Sequence, residues 1–234
     1  SKLLTNFDNL GITGLTARQK DIDWLLSENG VTYNVYNDPQ GMHRPWNLNV
    51  VPFMLHQNEW AEVEAGLKQR AELLNLVLKD VYGDRKLIKN GIVPYEVIYG
   101  HRGFLRQCSG MELQLEQYLS IYAADLCRGT DGRLWVVNDR TEAPSGMGYA
   151  LENRSTTSRI LPDLYAEMKV KRLSGFFQEF NQMLIDAAPG KKENPNIVIL
   201  TPGSHNETYF EHAYMASFLG YPLVQGNDMV VRDG

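Results

Sequence analysis

The sequence predicts a mixed α/β protein with a helix-rich N-terminal part, a mixed-sheet middle segment and a C-terminal β-turn-α-β unit. Three observations predict it. Apolar residues recur every three or four positions from Glu59 to Tyr82 (Trp60, Val63, Leu67, Leu74, Val77, Leu78, Val81), the stripe of an amphipathic helix. Residues 122–140 alternate about an Asp131-Gly132 turn, as a hairpin does. A continuous apolar run, Ile197-Val198-Ile199-Leu200, precedes a tight turn and a second helical pattern, the grammar of a buried parallel strand in a doubly wound sheet.

The elements follow in order. Residues 16–29 read as a helix with Thr16 as N-cap and Gly30 as its stop. Residues 31–36 alternate as a strand, and residues 37–41 form a turn. Residues 42–58 are an ordered, Pro-interrupted connection. The helix from Glu59 closes at Gly83, and its apolar stripe reads as core. Leu87-Ile88 and Ile92–Ile98 are short apolar segments around Asn90-Gly91, and a helix over 111–119 is expected. Residues 163–186 read as one amphipathic helix with Leu164, Met168, Leu173, Phe176, Phe177, Phe180 and Leu184 inward. Residues 189–195, Pro-Gly-Lys-Lys-Glu-Asn-Pro, form the best linker. It divides residues 1–190 from residues 191–234, where a strand over 196–200, a turn at 201–204, a helix over 206–219 capped by Gly220 and a strand at 222–224 are expected. Residues 230–234 read as the entry to a further hairpin.

Composition narrows the function classes. The chain has 234 residues, 43% hydrophobic and 22% charged, the balance of a globular protein. A net charge of −5 argues against a sequence-independent nucleic-acid binder. Cys108 and Cys127 are the two cysteines and read as thiols in a reducing compartment. No run approaches a membrane span, and the first residues lack a basic segment followed by an apolar stretch. A cytoplasmic protein is the expectation. None of His43, His56, His101, His205 and His212 has zinc-ligand spacing.

The hairpin carries the candidate chemistry. With a two-residue Asp131-Gly132 loop, Asp125 faces Asn138, and Arg140 lies on the same face. In a register one residue away, Asp139 takes the place opposite Asp125. Either arrangement gathers hard oxygen ligands beside an arginine. Mg2+ favours oxygen ligands, and arginine suits phosphate. The competing reading is a solvated hairpin face. The Pro144-Ser145-Gly146-Met147-Gly148 segment could present backbone amides to an anion, but it is neither a Walker loop nor a nucleophile elbow. Asn153 and Arg154, at the end of a short strand, could reach a ligand or cap a turn.

The chain resembles the N-terminal half of the circularly permuted ATP-grasp family, proteins often labelled glutathionylspermidine-synthase-like. The carriers are Gly30–Tyr36, Arg44-Pro45-Trp46, Glu59-Trp60, residues 66–70, Asp80-Val81-Tyr82-Gly83, residues 125–128, the long string 139–154, Thr201-Pro202-Gly203 and Glu211-His212. The resemblance implies an ATP-grasp segment followed, from residue 196, by a Rossmann-like pre-ATP-grasp unit. It implies a ligase that phosphorylates a carboxylate with ATP and Mg2+ and passes the acyl group to an amine. It places Asp125, Asn138 and Asp139 at the metal, Arg140 and Arg154 at the reacting groups, and Arg128, Ser145, Gly146, Gly148 and Asn153 around the nucleotide. Asp125 matches the family's first hairpin ligand, whereas its usual Glu-x-Asn pair has no counterpart here. The implied partners are a small carboxylate and an amine or peptide, with no nucleic acid and no membrane. An exposed sheet edge in the C-terminal unit is expected to be able to pair with a second copy. Residues 1–234 alone are expected to be inactive, because the resemblance covers one side of a two-lobed site. The contrasting expectation is a non-catalytic binding or scaffold module that keeps the fold.

Overall fold

The computed structural model describes residues 2–35, 43–111, 113, 117–190 and 193–231. Helix α1 (Lys2–Glu28) starts well before the expected residue 16. It is two helical segments joined at Gly11, whose φ of 59° and ψ of 178° are open to glycine and costly for other residues. Thr16 is therefore not an N-cap; its hydroxyl donates to the Ile12 carbonyl at 2.9 Å within the helix. Ile22 and Leu26, one turn apart, are the most deeply buried residues of α1. Gly30, at φ 64°, ends the helix and lets the Val31 amide reach the Leu26 carbonyl at 2.9 Å. Strand β1 (Thr32–Asn34) then pairs antiparallel with β2 (His43–Pro45). The turn expected at 37–41 lies outside the described residues.

Residues 54–144 form a compact unit of their own. Its spine is α2 (Gln57–Tyr82), close to the expected span, which Gly83 terminates by donating to the Asp80 carbonyl. The Asp80 carboxylate accepts the amides of Lys86 and Leu87 at 2.8 and 2.9 Å and so starts α3 (Lys86–Lys89). Helix α4 (Tyr95–Tyr99) follows. The helix expected over 111–119 is not seen where those residues are described, and residues 112 and 114–116 lie outside them. Asn75 on α2 instead accepts the amides of Tyr118 and Leu119 at 2.8 and 2.9 Å. Strands β3 (Ala123–Arg128) and β4 (Leu134–Arg140) make the antiparallel hairpin.

Residues 1–53 and 145–234 form the other unit. Helix α5 (Met147–Ile160) occupies the stretch where Asn153 and Arg154 were expected to end a strand. Its buried residues are Gly148, Tyr149, Glu152 and Thr156, of which Tyr149 alone is a large hydrophobic side chain, so an apolar-periodicity reading passes over them. The single helix expected over 163–186 is two, α6 (Pro162–Glu167) and α7 (Ser174–Asp186). Lys169, at φ 49°, breaks the path between them, and Phe176, expected inward, is half exposed. Strand β5 (Ile199–Leu200), α8 (Tyr209–Leu219) and β6 (Leu223–Val224) give the expected parallel β-turn-α-β unit, with Gly220 at φ 74° capping α8. Its strands are shorter than expected, and Leu200 is exposed rather than buried. The hairpin entry expected at 230–234 lies largely outside the described residues. The core of this unit joins Phe7, Ile22 and Leu26 of α1 to Val31, Val50, Tyr149, Leu161 and Leu164. The mixed α/β class stands.

Candidate functional site

The hairpin brings Asp125, Asn138 and Arg140 together. Asp125 pairs with Asn138 and Ala123 with Arg140, so all three polar side chains share one face. Asn138 Nδ2 donates to Asp125 Oδ2 at 3.2 Å. Arg140 grips the same carboxylate, Nε to Oδ1 and Oδ2 at 3.2 and 3.1 Å and Nη2 to Oδ2 at 2.9 Å. The side chains of Arg140 and Asp125 remain 50% and 43% exposed, so they sit at the surface, open to solutes. Arg140, then Asn138, hold the Asp125 carboxyl below its usual range.

This pairing arises by a route different from the expected one. Near the turn the pairs are Arg128 with Leu134 and Leu126 with Val136, and the Gly129 amide donates to the Arg133 carbonyl at 2.8 Å. Thr130, Asp131 and Gly132 thus form a three-residue loop, one longer than expected, with Gly132 at φ 80°. The ladder shifts between Asp125 and Leu126, where Val137 is the extra residue of a β-bulge. The longer loop and the bulge offset each other, and Asp125 meets Asn138 after all.

Asp139 points the other way, toward α2. Arg70 holds it with a two-pronged bridge, Nε to Oδ1 at 2.6 Å and Nη2 to Oδ2 at 2.7 Å, and the Tyr122 hydroxyl donates to Oδ1 at 2.7 Å. Arg70 and then Tyr122 lower the Asp139 pKa to about 2. Burial, followed by the Asp139 contact, raises that of Tyr122 to about 12. Arg128 ties the turn end to the start of α2, with Nη1 on Glu59 at 2.6 Å and on the Gly132 carbonyl at 2.7 Å. Between these two anchors, α2 and the hairpin enclose a cleft of about 820 Å³ lined by Val63, Leu67, Leu126, Leu134 and Val136 among others.

The remaining sequence-flagged residues lie in the other unit. The amides of the Pro144–Gly148 segment do bind an anion, and that anion is the buried carboxylate of Glu211 on α8. Gly146 N lies 2.8 and 2.6 Å from its two oxygens, and Gly148 N lies 2.8 Å from Oε2. A carboxylate suits the positive N-terminal end of α5. The approach is so close that a Cβ on Gly148 would stand 2.9 Å from Glu211 Cγ. Ser145 beside them is exposed. Asn153 Oδ1 accepts from the Trp46 indole at 2.8 Å, and Trp46 stacks on Tyr149 at 4.2 Å. Arg154 reaches the Lys171 carbonyl at 3.4 Å.

Several polar residues here drew no attention in the sequence as site residues. Glu152 is buried and accepts from Asn29 at 2.7 Å and Thr156 at 3.2 Å. His212 lies between the hydroxyls of Thr201 and Thr208, 3.0 and 3.2 Å away, and burial lowers its pKa against the opposing pull of Glu211. Arg70 and Tyr122 are the corresponding omissions in the hairpin unit. Alternation on β4 puts Asp139 on the opposite face from Arg140, the one signal pointing to an inward partner; nothing local names Glu211.

Among the described residues no set of three or more His, Cys, Asp and Glu side chains is placed to hold a metal ion. The hairpin's donor set is one carboxylate and, after a half-turn of the Asn138 amide, one carbonyl oxygen. That suits Mg2+, which commonly takes one or two protein oxygens and completes its shell with water and phosphate. Among the described residues no helix is long and apolar enough to cross a membrane.

Residues 52–234 match the family described as circularly permuted ATP-grasp type 2. The chain belongs to that family. It is 38% identical over 232 residues to an uncharacterized protein of Mycobacterium tuberculosis, covering 96% of this chain and 26% of the relative. An uncharacterized protein of Synechocystis is 37% identical over 205 residues, 88% of this chain and 43% of the relative. One from Mycobacterium leprae is 32% identical over 219 residues, 94% and 38% respectively. The chain thus spans between a quarter and under half of the length of these relatives.

Proposed function

We propose that this segment carries the metal-facing part of an ATP-dependent carboxylate–amine ligase that works through an acyl phosphate. Membership of the ATP-grasp family supports ATP and Mg2+ as its cofactors and ligase-type chemistry. The observation that carries the reading is the exposed face on which Asp125, Asn138 and Arg140 converge. In this reading Asp125 and Asn138 hold the metal, which when bound neutralises phosphate charge. Arg140 contacts the transferring phosphoryl group, where its planar fork matches two phosphate oxygens. Asp139 keeps the strand in place through Arg70 and Tyr122, and Glu211 plays the same part for the Gly146–Gly148 segment. Arg128, Asn153 and Arg154 hold structure through Glu59, Trp46 and the Lys171 carbonyl. Residues 191–234 open a Rossmann-like unit next to the ATP-grasp portion. The substrates are a small carboxylate and an amine or peptide, and the protein acts in the cytoplasm.

The test is Mg2+-dependent phosphate release by the whole protein with pooled carboxylates and amines. Asp125→Asn should lower it by at least about tenfold with the fold retained. Unchanged turnover in that variant rejects the metal assignment. Absence of ATP binding by a well-folded protein favours the non-catalytic module instead. One observation speaks for that second reading: the amides that could have cradled a phosphate are taken by Glu211.

A further inference from the structure

We propose that Arg140 makes cation binding at the hairpin site depend on phosphate: it occupies Asp125 until phosphate draws it away, so the site takes up its metal with a phosphate and holds a bare cation poorly. The inference rests on the metal reading of Asp125 given above.

The geometry supplies the argument. Asp125 Oδ2 accepts three donors, Arg140 Nε at 3.1 Å, Arg140 Nη2 at 2.9 Å and Asn138 Nδ2 at 3.2 Å, while Oδ1 accepts Arg140 Nε at 3.2 Å. Both oxygens that a cation would need are therefore committed to one guanidinium. A bare divalent ion has to part that pair, and it then sits beside an unneutralised positive charge. Asn138 is likewise turned so that its donor, not its acceptor, faces the carboxylate.

A phosphate changes the balance. It presents the guanidinium with paired oxygens in the same fork geometry as a carboxylate and with more charge. Arg140 exchanges one anion for another, and Asp125 and the Asn138 carbonyl become available to the metal that the phosphate carries. The exchange is feasible because the Arg140–Asp125 pair is half exposed, and ion pairs of that kind open easily. The contrast with Asp139 is instructive. Its bridge from Arg70 is shorter, at 2.6 and 2.7 Å, and a tyrosine hydroxyl reinforces it. That pair is the tighter of the two, with Asp139 26% exposed against 43% for Asp125.

Mn2+ alone is the probe, titrated into the 234-residue chain and followed by loss of the free-ion paramagnetic resonance signal. Arg140→Gln should bind bare Mn2+ about fivefold more tightly than wild type, the size expected for one exposed ion pair. Asp125→Asn should weaken binding, and Asp125→Asn combined with Arg140→Gln should match Asp125→Asn alone, because Arg140 acts through Asp125. Arg140→Lys, which keeps the charge and loses the fork, serves if the glutamine variant misfolds, and should fall between wild type and the expected Arg140→Gln value. A second readout is the Arg140 Nε–H resonance, which should move on addition of tripolyphosphate with Mg2+ and stay in place with Mg2+ alone at the same concentration.

If Asp125→Asn weakens Mn2+ binding while neither arginine variant tightens it, the blocking role of Arg140 is overturned and the metal site stands. Tightening that persists in the Asp125→Asn background also overturns it, since the effect is then general charge removal. If Asp125→Asn leaves Mn2+ binding unchanged, the metal reading and this inference fall together.

Discussion

The two units spend their carboxylates differently. In the unit made of residues 1–53 and 145–234, Glu152 and Glu211 are only 3% and 5% exposed; Glu211 accepts two amides 65 and 63 residues away, and Glu152 accepts from Asn29 and from Thr156 on its own helix. In the unit made of residues 54–144, Asp125 stands on an open strand face, and its partners come from the neighbouring strand. A buried carboxylate that accepts several hydrogen bonds holds a fold, because losing it strands several donors at once. An exposed one holds the fold less, because water can replace its partners. Both kinds occur within the family-like sequence stretches, so motif membership alone does not separate architecture from chemistry.

The sharpest test of this contrast is Glu211→Ala. It leaves the Gly146 and Gly148 amides without their acceptor in a buried place and should cost about 3 kcal/mol, read from urea unfolding. Glu211→Gln, which keeps an acceptor oxygen, should cost clearly less. A loss no greater than that of a surface residue would mean that water replaces the carboxylate and that the two units are not so different. Next in size is Gly148→Ala, whose methyl would press on Glu211; about 2 kcal/mol is expected from the same measurement.

Tyr122→Phe should be milder, about 1 kcal/mol, since Arg70 continues to hold Asp139. Its signature is in the pH dependence. The folded-state pKa of Asp139, about 2, lies below the unfolded value of about 3.9. Its stabilisation is therefore complete above about pH 5 and disappears as pH falls toward 2. Tyr122→Phe should flatten that acid limb, and Asp139→Asn should remove its contribution. The smallest effect on folding belongs to Asp125→Asn. Its melting temperature should stay within about 2 °C of wild type, since an exposed pair contributes little. A large drop would make Asp125 a structural residue like Glu211 and erase the contrast.

The parts legible in the sequence were those governed by local rules. The stripe of α2, the stop at Gly83 and the β5–α8–β6 unit with its Gly220 cap follow from spacing and turn chemistry; of the two hairpin registers the sequence leaves open, the structure takes the one that pairs Asp125 with Asn138, but through a longer loop and a compensating bulge. What escaped was set by distant partners. Helix α5 buries Glu152 and Thr156 in place of apolar residues, so its periodicity is invisible to a hydrophobic reading. Its N-terminus is capped by a carboxylate 65 residues away. The joint in α1 at Gly11 and the break at Lys169 are single backbone conformations that no pattern of apolar residues announces. In the hairpin, sequence alternation separates Asp139 from Arg140, but only the Arg70 and Tyr122 contacts reveal what the inward carboxylate is for.

The bulge at Val137 has the geometry of an expansion joint. On the turn side, Leu134 and Val136 face the α2 cleft while Trp135 and Val137 are exposed. All four are apolar, so β4 could slide by one residue there, absorb the bulge, shorten the loop to Asp131-Gly132 and turn Trp135 and Val137 inward. Beyond the joint the pairs Asp125 with Asn138 and Ala123 with Arg140 would keep their places. A displacement of the hairpin tip would thereby leave its polar end in place, and a change in Trp135 fluorescence that leaves cation binding untouched is the expected mark of such a slip.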